Sequence, residues 1–125
     1  MRKHHPLLPE LTRVAQVIYD KKGFNILVLD VRRVCNMTDY FILAEGTVDR
    51  HVRAISHAIV DEFERHGWSP LHVEGEREGE WVVIDYGSMV IHLLVPELRE
   101  KYALEELWRE SELVDVNIQS HVGGA

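Results

Sequence analysis

Apolar and polar side chains alternate most regularly between Trp81 and Val95, where β-branched and aromatic residues fill two arms around Gly87 and Ser88. A Gly-first pair between two such arms predicts a β-hairpin. Because successive side chains of a strand point to opposite faces, pairing the arms about this turn sorts them into two sets. The first set is almost wholly apolar and is expected to lie beneath helices: Val82, Ile84, Tyr86, Met89, Ile91, Leu93 and Val95.

The second face of the hairpin mixes aliphatic side chains with an indole, a carboxylate and an imidazole: Trp81, Val83, Asp85, Val90, His92 and Leu94. An Asp and a His turned into a dry core would need polar partners. Turned toward solvent, the same set has the composition of a protein contact surface with an aromatic anchor. The alternative, in which this face lies under another helix of a two-sided sheet, stays open.

Helical and strand patterns surround the hairpin. Apolar stripes of helical spacing predict three helices. The first begins at Pro9 and ends at Gly23, the second follows an N-cap at Thr47 and ends at Gly67, and the third runs from about Glu97 to about Glu112. Runs of aliphatic and aromatic residues predict further strands at 24–29, 39–44 and 71–74. The predicted order is α-β-β-α-β-β-β-α, an α/β fold (an α+β mixed sheet) of about five strands. The second helix and its flanking strands should form a parallel crossover.

The 125-residue length predicts a single domain. We expect a core from about residue 8 to 111 and a partly flexible tail from 112 to 125, because Asp115 begins a stretch without a clear pattern. No apolar run approaches the ~18 residues of a membrane span. Cys35 is the one cysteine, and the first residues do not resemble a signal segment. The sequence therefore predicts a soluble cytoplasmic protein with no membrane partner.

The net charge of −7 is unevenly distributed. Residues 1–33 carry seven Lys and Arg against three Asp and Glu, whereas residues 34–96 carry four against eleven. An acidic body does not favour a general phosphate-backbone binder, which needs a basic face. A protein partner with a basic surface fits better, because opposite potentials favour encounter.

Catalytic and metal-binding patterns are weak. Gly46 and Thr47 precede a helix whose start could hold an anion, as in nucleotidyltransferases, but those enzymes also need two strand carboxylates for a divalent metal. Here Asp61 and Glu62 lie on the helix and Glu74 stands alone on its strand. The eight histidines lack the spacing of a zinc site. We expect no catalytic residue, metal or cofactor; the alternative is a nucleotide-binding or nucleotidyl-transfer enzyme that uses this helix start.

Four motifs together resemble the ribosomal silencing factor family (RsfS, also called Iojap). The hairpin and last helix contribute Trp81-x-x-x-Asp85-Tyr86-Gly87, then His92, then Arg99-x-x-Tyr102-x-Leu104-Glu105-x-Leu107-Trp108. Two further pieces are Met37-Thr38-Asp39-Tyr40-Phe41-Ile42 and Gly46-Thr47-x-x-x-His51-Val52-x-Ala54-Ile55. The resemblance runs from about Leu8 to Ser111. Ser88 departs from the Asp that is frequent in the family, and the tail after Glu112 is longer than in a typical member.

This resemblance implies a nucleotidyltransferase-like fold without the catalytic carboxylates. It also implies binding to the large ribosomal subunit through large-subunit protein fourteen, which hinders joining of the small subunit and represses translation when nutrients are short. Family members form homodimers, so a homodimer is a further expectation, whereas sequence-specific nucleic-acid binding is not expected.

The residues that match the family motifs are Trp81, Asp85, Tyr86, His92, Arg99, Tyr102, Glu105 and Trp108. The predicted faces sort some of them. Trp81, Asp85 and His92 share the second face and are predicted to contact the partner. Arg99 and Tyr102 are added to the predicted site, although either could instead hold the fold. Tyr86 and Trp108 lie with the apolar residues and are predicted to be structural.

Overall fold

The computed structural model describes residues 4–104, 106 and 109–120. This part of the chain forms three helices and six strands. In chain order they are α1 (Leu8–Asp20), β1 (Phe24–Asp30), β2 (Tyr40–Glu45), α2 (Asp49–Glu64), β3 (His72–Glu74), β4 (Trp81–Asp85), β5 (Met89–Leu94), α3 (Pro96–Tyr102) and β6 (Glu112–Leu113). The element order predicted from the sequence is confirmed as far as α3.

The strands form one mixed sheet in the spatial order β3-β4-β5-β2-β1-β6. Every neighbouring pair is antiparallel except β2 and β5, which run parallel. The α/β class with a mixed sheet is therefore confirmed, but the sheet has six strands where about five were predicted. The added strand, β6, is only two residues long and is too short to leave a pattern in the sequence.

The predicted parallel pairing of the two strands that flank α2 is wrong. β2 is bonded to β5, with Ile42 opposite Ile91, whereas β3 lies at the far edge beside β4. The crossover through α2 carries the chain from the middle of the sheet to its edge. The β4–β5 hairpin then fills the space between, because its two arms pair with each other and leave the outer side of β5 for β2.

The hairpin itself follows the predicted register. Trp81 lies opposite Leu94 and Asp85 opposite Val90, so Gly87 and Ser88 form a two-residue turn. Gly87 has φ +85°, a backbone conformation that glycine adopts without steric cost. All seven first-face side chains are at most 8% exposed and pack against α1 and α2. The core beneath the helices is therefore where the sequence predicts it.

The last helix is much shorter than predicted. α3 ends at Tyr102, because Ala103 adopts the left-handed conformation (φ +46°) and its N–H bonds to the carbonyl of Arg99. The predicted end at Glu112 is wrong, since that residue begins β6. Leu107, Trp108 and Glu105 of the predicted helix lie outside the described residues.

Residues 112–120, predicted to be part of a flexible tail, lie on the body of the fold. β6 pairs with β1, and Val114 and Val116 pack against the main core. Farther along, Gln119 exchanges two hydrogen bonds with the side chain of Gln16 on α1: the backbone N–H of Gln119 donates over 2.6 Å and its carbonyl accepts over 3.0 Å. The boundary drawn at Ser111 is therefore too early. Residues 121–125 lie outside the described part.

A histidine of α2 joins the segment before this helix to the end of α1. The N-cap residue is Val48, with extended backbone and no side-chain cap bond, so the predicted N-cap at Thr47 is wrong. Instead, Nδ1 of His51 accepts the backbone N–H of Thr47 over 2.9 Å. Its proton therefore resides on Nε2, which donates to the carbonyl of Lys21 over 2.7 Å. One imidazole thus joins the end of α1 to the start of α2.

Replacing His51 by Ala should lower the free energy of unfolding by about 1–2 kcal/mol, because the backbone N–H of Thr47 loses its acceptor and the Lys21 carbonyl loses its donor. Urea unfolding followed by circular dichroism measures this loss. Thr47→Ala is the matched control: it removes the 3.2 Å contact between the Thr47 hydroxyl and Nδ1 of His51 but keeps the backbone N–H that donates to the same nitrogen. It should cost less than about 0.5 kcal/mol. Equal losses for the two variants would contradict the connecting role of His51.

Candidate docking surface

The second face of the sheet is covered over one half and open over the other. Toward β1 and β2 it carries a small apolar cluster, closed by the loop after β1 and by the region around α3: Leu29, Val31, Leu43, Leu94 and Leu104. Toward β4 and β5 the side chains of Val83, Val90 and His92 are only half-buried. The second face is thus neither a solvent face nor the underside of another long helix.

The open half forms a contiguous aromatic and aliphatic surface. Its strand residues lie opposite one another in register, Phe41 with Val90 and Val83 with His92. Trp81 shares this face, and Tyr102 of α3, 47% exposed, packs against the indole ring. We call this surface the docking face and define it as Phe41, Trp81, Val83, Val90, His92 and Tyr102. Leu94, predicted to share the contact surface, is instead fully buried.

Trp81 is held by two neighbours. Its indole Nε1–H donates to Nδ1 of His92 over 3.1 Å. On its other side, the ring centroid of Tyr102 lies 5.2 Å from that of Trp81, with the planes tilted by 44°. Phe41 then packs against the His92 imidazole, with 5.0 Å between centroids. A half-buried tryptophan with a bonded N–H is a preorganised anchor, because little side-chain freedom remains to be lost on binding.

The His92 imidazole is neutral under physiological conditions. Burial lowers its pKa to about 4 from the ordinary 6.5. Since Nδ1 accepts the indole N–H, the ring proton resides on Nε2. The docking face therefore presents an uncharged imidazole.

Asp85 lies at the turn end of the face, away from Trp81. Its Oδ1 accepts the backbone N–H of Gly87 over 2.7 Å, so this carboxylate helps to form the hairpin turn. Four residues along one strand separate Asp85 from Trp81, which corresponds to about 13 Å. The structure brings Trp81 and His92 into contact but leaves Asp85 on the rim of the docking face, opposite His72 of β3.

Arg99 points into the protein and not toward the docking face. Its side chain is 9% exposed, and its Nη1 donates to the carbonyl of Asn25 and lies 3.5 Å from Oε2 of Glu45. Asn25 donates to the same carboxylate over 3.0 Å. These contacts join α3 to the adjacent ends of β1 and β2. The buried position favours a structural role for Arg99, so we leave it out of the docking face.

Tyr86 packs in the main core, between Phe63 at 5.3 Å and Trp68 at 6.1 Å between ring centroids. Burial raises the pKa of its hydroxyl to about 12. Its hydroxyl oxygen has no hydrogen-bond partner in the described part of the chain. Glu105 and Trp108, which also match the family motifs, lie outside the described residues.

Phe41 and Tyr102 owe their places on the docking face to long-range contacts. Phe41 belongs to β2, and it joins the face because β2 pairs with β5. The hairpin pattern alone therefore did not include Phe41, although the motif from Met37 to Ile42 contains it. Tyr102 was among the predicted site residues, but its stacking on Trp81 depends on where α3 lies.

Near the start of α2, where the sequence suggests an anion site, the backbone N–H of Thr47 already donates to His51 and is not available to an anion. Among residues 4–104, 106 and 109–120, no three His, Cys, Asp or Glu side chains are gathered as metal ligands. No helix within the same described ranges has the length and apolar character needed to cross a membrane.

Comparison with known proteins identifies the family. The family described as "Ribosomal silencing factor during starvation" (RsfS) matches residues 5–123. A crystal structure of a Chromobacterium violaceum protein superimposes with a TM-score of 0.77 at 25% identity, covering 94% of this chain and 98% of that one. The mixed-sheet fold is thus the fold of a solved bacterial protein, and the chain belongs to the RsfS family.

Two named relatives align over most of the chain. The "Ribosomal silencing factor RsfS" of Bacillus subtilis is 35% identical over 98 residues, which cover 78% of this chain and 83% of the relative. The mouse "Mitochondrial assembly of ribosomal large subunit protein 1" is 33% identical over 102 residues, covering 79% of this chain and 45% of the relative. Bacterial and mitochondrial proteins therefore share this domain.

The lowered pKa of His92 predicts a pH dependence of stability. Between pH 6.5 and 4 the unfolded chain binds a proton at His92 that the folded chain does not, so the free energy of unfolding falls as the pH falls through this window. Relative to His92→Gln, the wild type should lose up to about 3 kcal/mol there. Urea titrations at several pH values measure the difference. If the free energy of unfolding varies with pH in the same way for wild type and His92→Gln, the His92 imidazole is not desolvated.

The buried position of Arg99 predicts a large effect on stability. Arg99→Leu leaves the buried Glu45 carboxylate without its cation and should lower the free energy of unfolding by about 3 kcal/mol. Arg33, 75% exposed and 3.8 Å from Glu112, is the matched control, and Arg33→Leu should cost less than about 0.5 kcal/mol. Chemical denaturation measures both. A small loss of stability in Arg99→Leu would contradict the structural role and favour a role for Arg99 as a surface contact.

Proposed function

We propose that this protein is a ribosomal silencing factor that binds the large ribosomal subunit through large-subunit protein fourteen and blocks joining of the small subunit. Translation is thereby repressed when nutrients are limiting. Membership of the RsfS family supports the role, and so do the names of two relatives, one a silencing factor and one concerned with assembly of the ribosomal large subunit. The single structural observation that carries the proposal is the half-open docking face with its preorganised Trp81.

The composition of the docking face suits a protein partner. Aromatic side chains dominate the energetics of such interfaces when they are held rigidly at the centre and surrounded by contacts that exclude water. Trp81 and Tyr102 stack at one end of the face, and Val83, Val90 and Phe41 extend it across three strands. A contact of roughly 800 Å² on each partner would suffice for specific binding.

The charge at the rim suits a basic partner. Glu74 lies opposite Val83, and Asp85 lies opposite Val90, so both carboxylates stand on the same side of the sheet as the docking face. The chain as a whole carries a net charge of −7. Carboxylates at this end of the apolar centre raise the rate of encounter with a positively charged surface and disfavour an acidic one.

The proposed mechanism is steric, and no bond is made or broken. A subunit that carries the silencing factor on its joining surface cannot accept the small subunit, so the concentration of competent large subunits falls by mass action. Repression is then reversible and depends on the ratio of factor concentration to its dissociation constant. The docking face needs only to bind, which agrees with a site built from anchored aromatic groups.

A factor of this kind acts where ribosomes translate, and we therefore propose a cytoplasmic location. Self-association remains a related proposal. A homodimer that used the docking face would cover Trp81 in both copies, so dimer formation and large-subunit binding would compete.

Trp81→Ala should weaken binding to isolated large subunits by about 2 kcal/mol or more, roughly thirtyfold, because the anchor of the docking face is removed. Co-sedimentation through a sucrose gradient measures binding, and a subunit-joining assay should show a matching loss of repression. Circular dichroism checks that the variant is folded.

Leu113→Ala is the matched control. Leu113 is 71% exposed on β6, at the edge of the sheet farthest from β3 and β4, so the substitution removes exposed apolar surface outside the docking face. This variant should bind and repress like wild type. If Trp81→Ala also behaves like wild type, the proposed contact surface is wrong, whatever the family assignment.

A further inference from the structure

The two nitrogens of the His92 ring differ in what they contact. Nδ1 accepts the indole N–H of Trp81 over 3.1 Å, which leaves the ring proton on Nε2. Among the described residues Nε2 makes no hydrogen bond. Nε2 is not completely shielded from solvent either. Nε2–H is therefore a donor that reaches the surface of the docking face with nothing bound to it.

The direction of this donor is fixed by the surroundings of the ring. β5 is hydrogen-bonded on both sides, to β4 and to β2, so the backbone at His92 cannot shift independently. Phe41 packs against the imidazole from β2, and Trp81 holds Nδ1 from β4. A ring flip would break the bond from Trp81, because it would replace Nδ1 by the Cδ2–H group, which cannot accept the indole N–H. The structure thus orients a single donor at the centre of the docking face.

We propose that His92 is the specificity-determining residue of the docking face: its Nδ1 orients Trp81, and its Nε2–H donates to a neutral oxygen, a carbonyl, of the docked protein. This inference rests on the proposed function, because it assumes that a protein occupies the docking face. It assigns His92 a role as a neutral donor, which differs from that of a cation pairing with an acidic group.

The charges around the face favour a neutral acceptor. Glu74 and Asp85 stand on the rim, and a partner carboxylate at the centre would meet both of them. A carbonyl oxygen carries no such penalty. A buried donor that loses water on docking without gaining an acceptor weakens binding, so partners without a carbonyl at this position would be rejected.

The titratable groups that share this face or its rim come from every element around His92. They are Glu45 on β2, His72 and Glu74 on β3, Asp85 on β4, and Lys101 and Tyr102 on α3. None of them is a cause of the lowered pKa of His92, which comes from burial. The neutral state of the donor therefore depends on the burial of the ring.

The tautomer can be tested on the free protein, without ribosomes. Long-range ¹H–¹⁵N correlation spectra distinguish a proton on Nε2 from one on Nδ1. We expect His92 to carry its proton on Nε2 and to stay neutral from pH 7.5 to 5. A proton on Nδ1, or protonation of the ring within that range, would overturn the inference while leaving the proposed function untouched.

The donor role is tested by large-subunit co-sedimentation with two His92 variants. His92→Phe keeps a ring but has neither nitrogen, and we expect binding to weaken about tenfold to a hundredfold, or ~1.4–2.8 kcal/mol. His92→Gln offers both an acceptor for Trp81 and a donor for the partner, so we expect most of the affinity to return. Two-dimensional NMR spectra test whether each variant is folded. If His92→Phe is unfolded, the affinity of His92→Gln and its pH dependence test the donor role instead.

The pH series separates a neutral donor from a cation. The ratio of wild-type to His92→Gln affinity should be constant between pH 7.5 and 5.5, whereas a ratio that rises as the pH falls would overturn the inference. Loss of binding in Trp81→Ala but not in His92→Phe would overturn the His92 role and keep the docking face. Wild-type binding by both variants would overturn the docking face and this inference with it.

Discussion

The register of the β4–β5 hairpin is the constraint on which the other features depend. A two-residue turn at Gly87 and Ser88 sets Val83 opposite His92 and Trp81 opposite Leu94. Because side chains alternate along a strand, a slip of one residue in either arm would move that arm's apolar set from the helices to the other face. The buried core beneath α1 and α2 and the half-open docking face are thus fixed by the same turn.

The second face uses its side chains for both folding and the proposed binding. Leu94 closes a small apolar cluster, and its neighbour across the pair, Trp81, packs on the edge of that cluster while facing Tyr102. The bond to His92 satisfies the indole N–H without a partner protein. The Trp81 side chain is therefore ordered before binding. The conformational entropy of ordering it is lost on folding and is not lost again on binding.

Local patterns allowed the sequence to predict the elements whose structure is decided locally. The hairpin faces, the stripes of α1 and α2 and the order of elements follow from side-chain periodicity, and the structure agrees with them. The RsfS family, identified from motif order and spacing, is also confirmed.

Features set by distant contacts were missed. The neighbour of β2 is β5, at a separation that periodicity does not encode, so Phe41 was not placed on the docking face. Ala103 ends α3 in a conformation that alanine adopts only when its surroundings require it. His51 joins α2 to α1 because the end of α1 lies close to the start of α2. Arg99 matched the family motif, but only the fold reveals that its side chain is buried against Glu45.

We propose that the open half of the second sheet face binds the large ribosomal subunit. The most direct measurement is a cryo-electron microscopy structure of this protein on isolated large subunits. We expect β4, β5 and Tyr102 to face large-subunit protein fourteen, with the Trp81 indole buried in the contact. A complex in which α1 and α2 face the ribosome while Trp81 stays in solvent would contradict it.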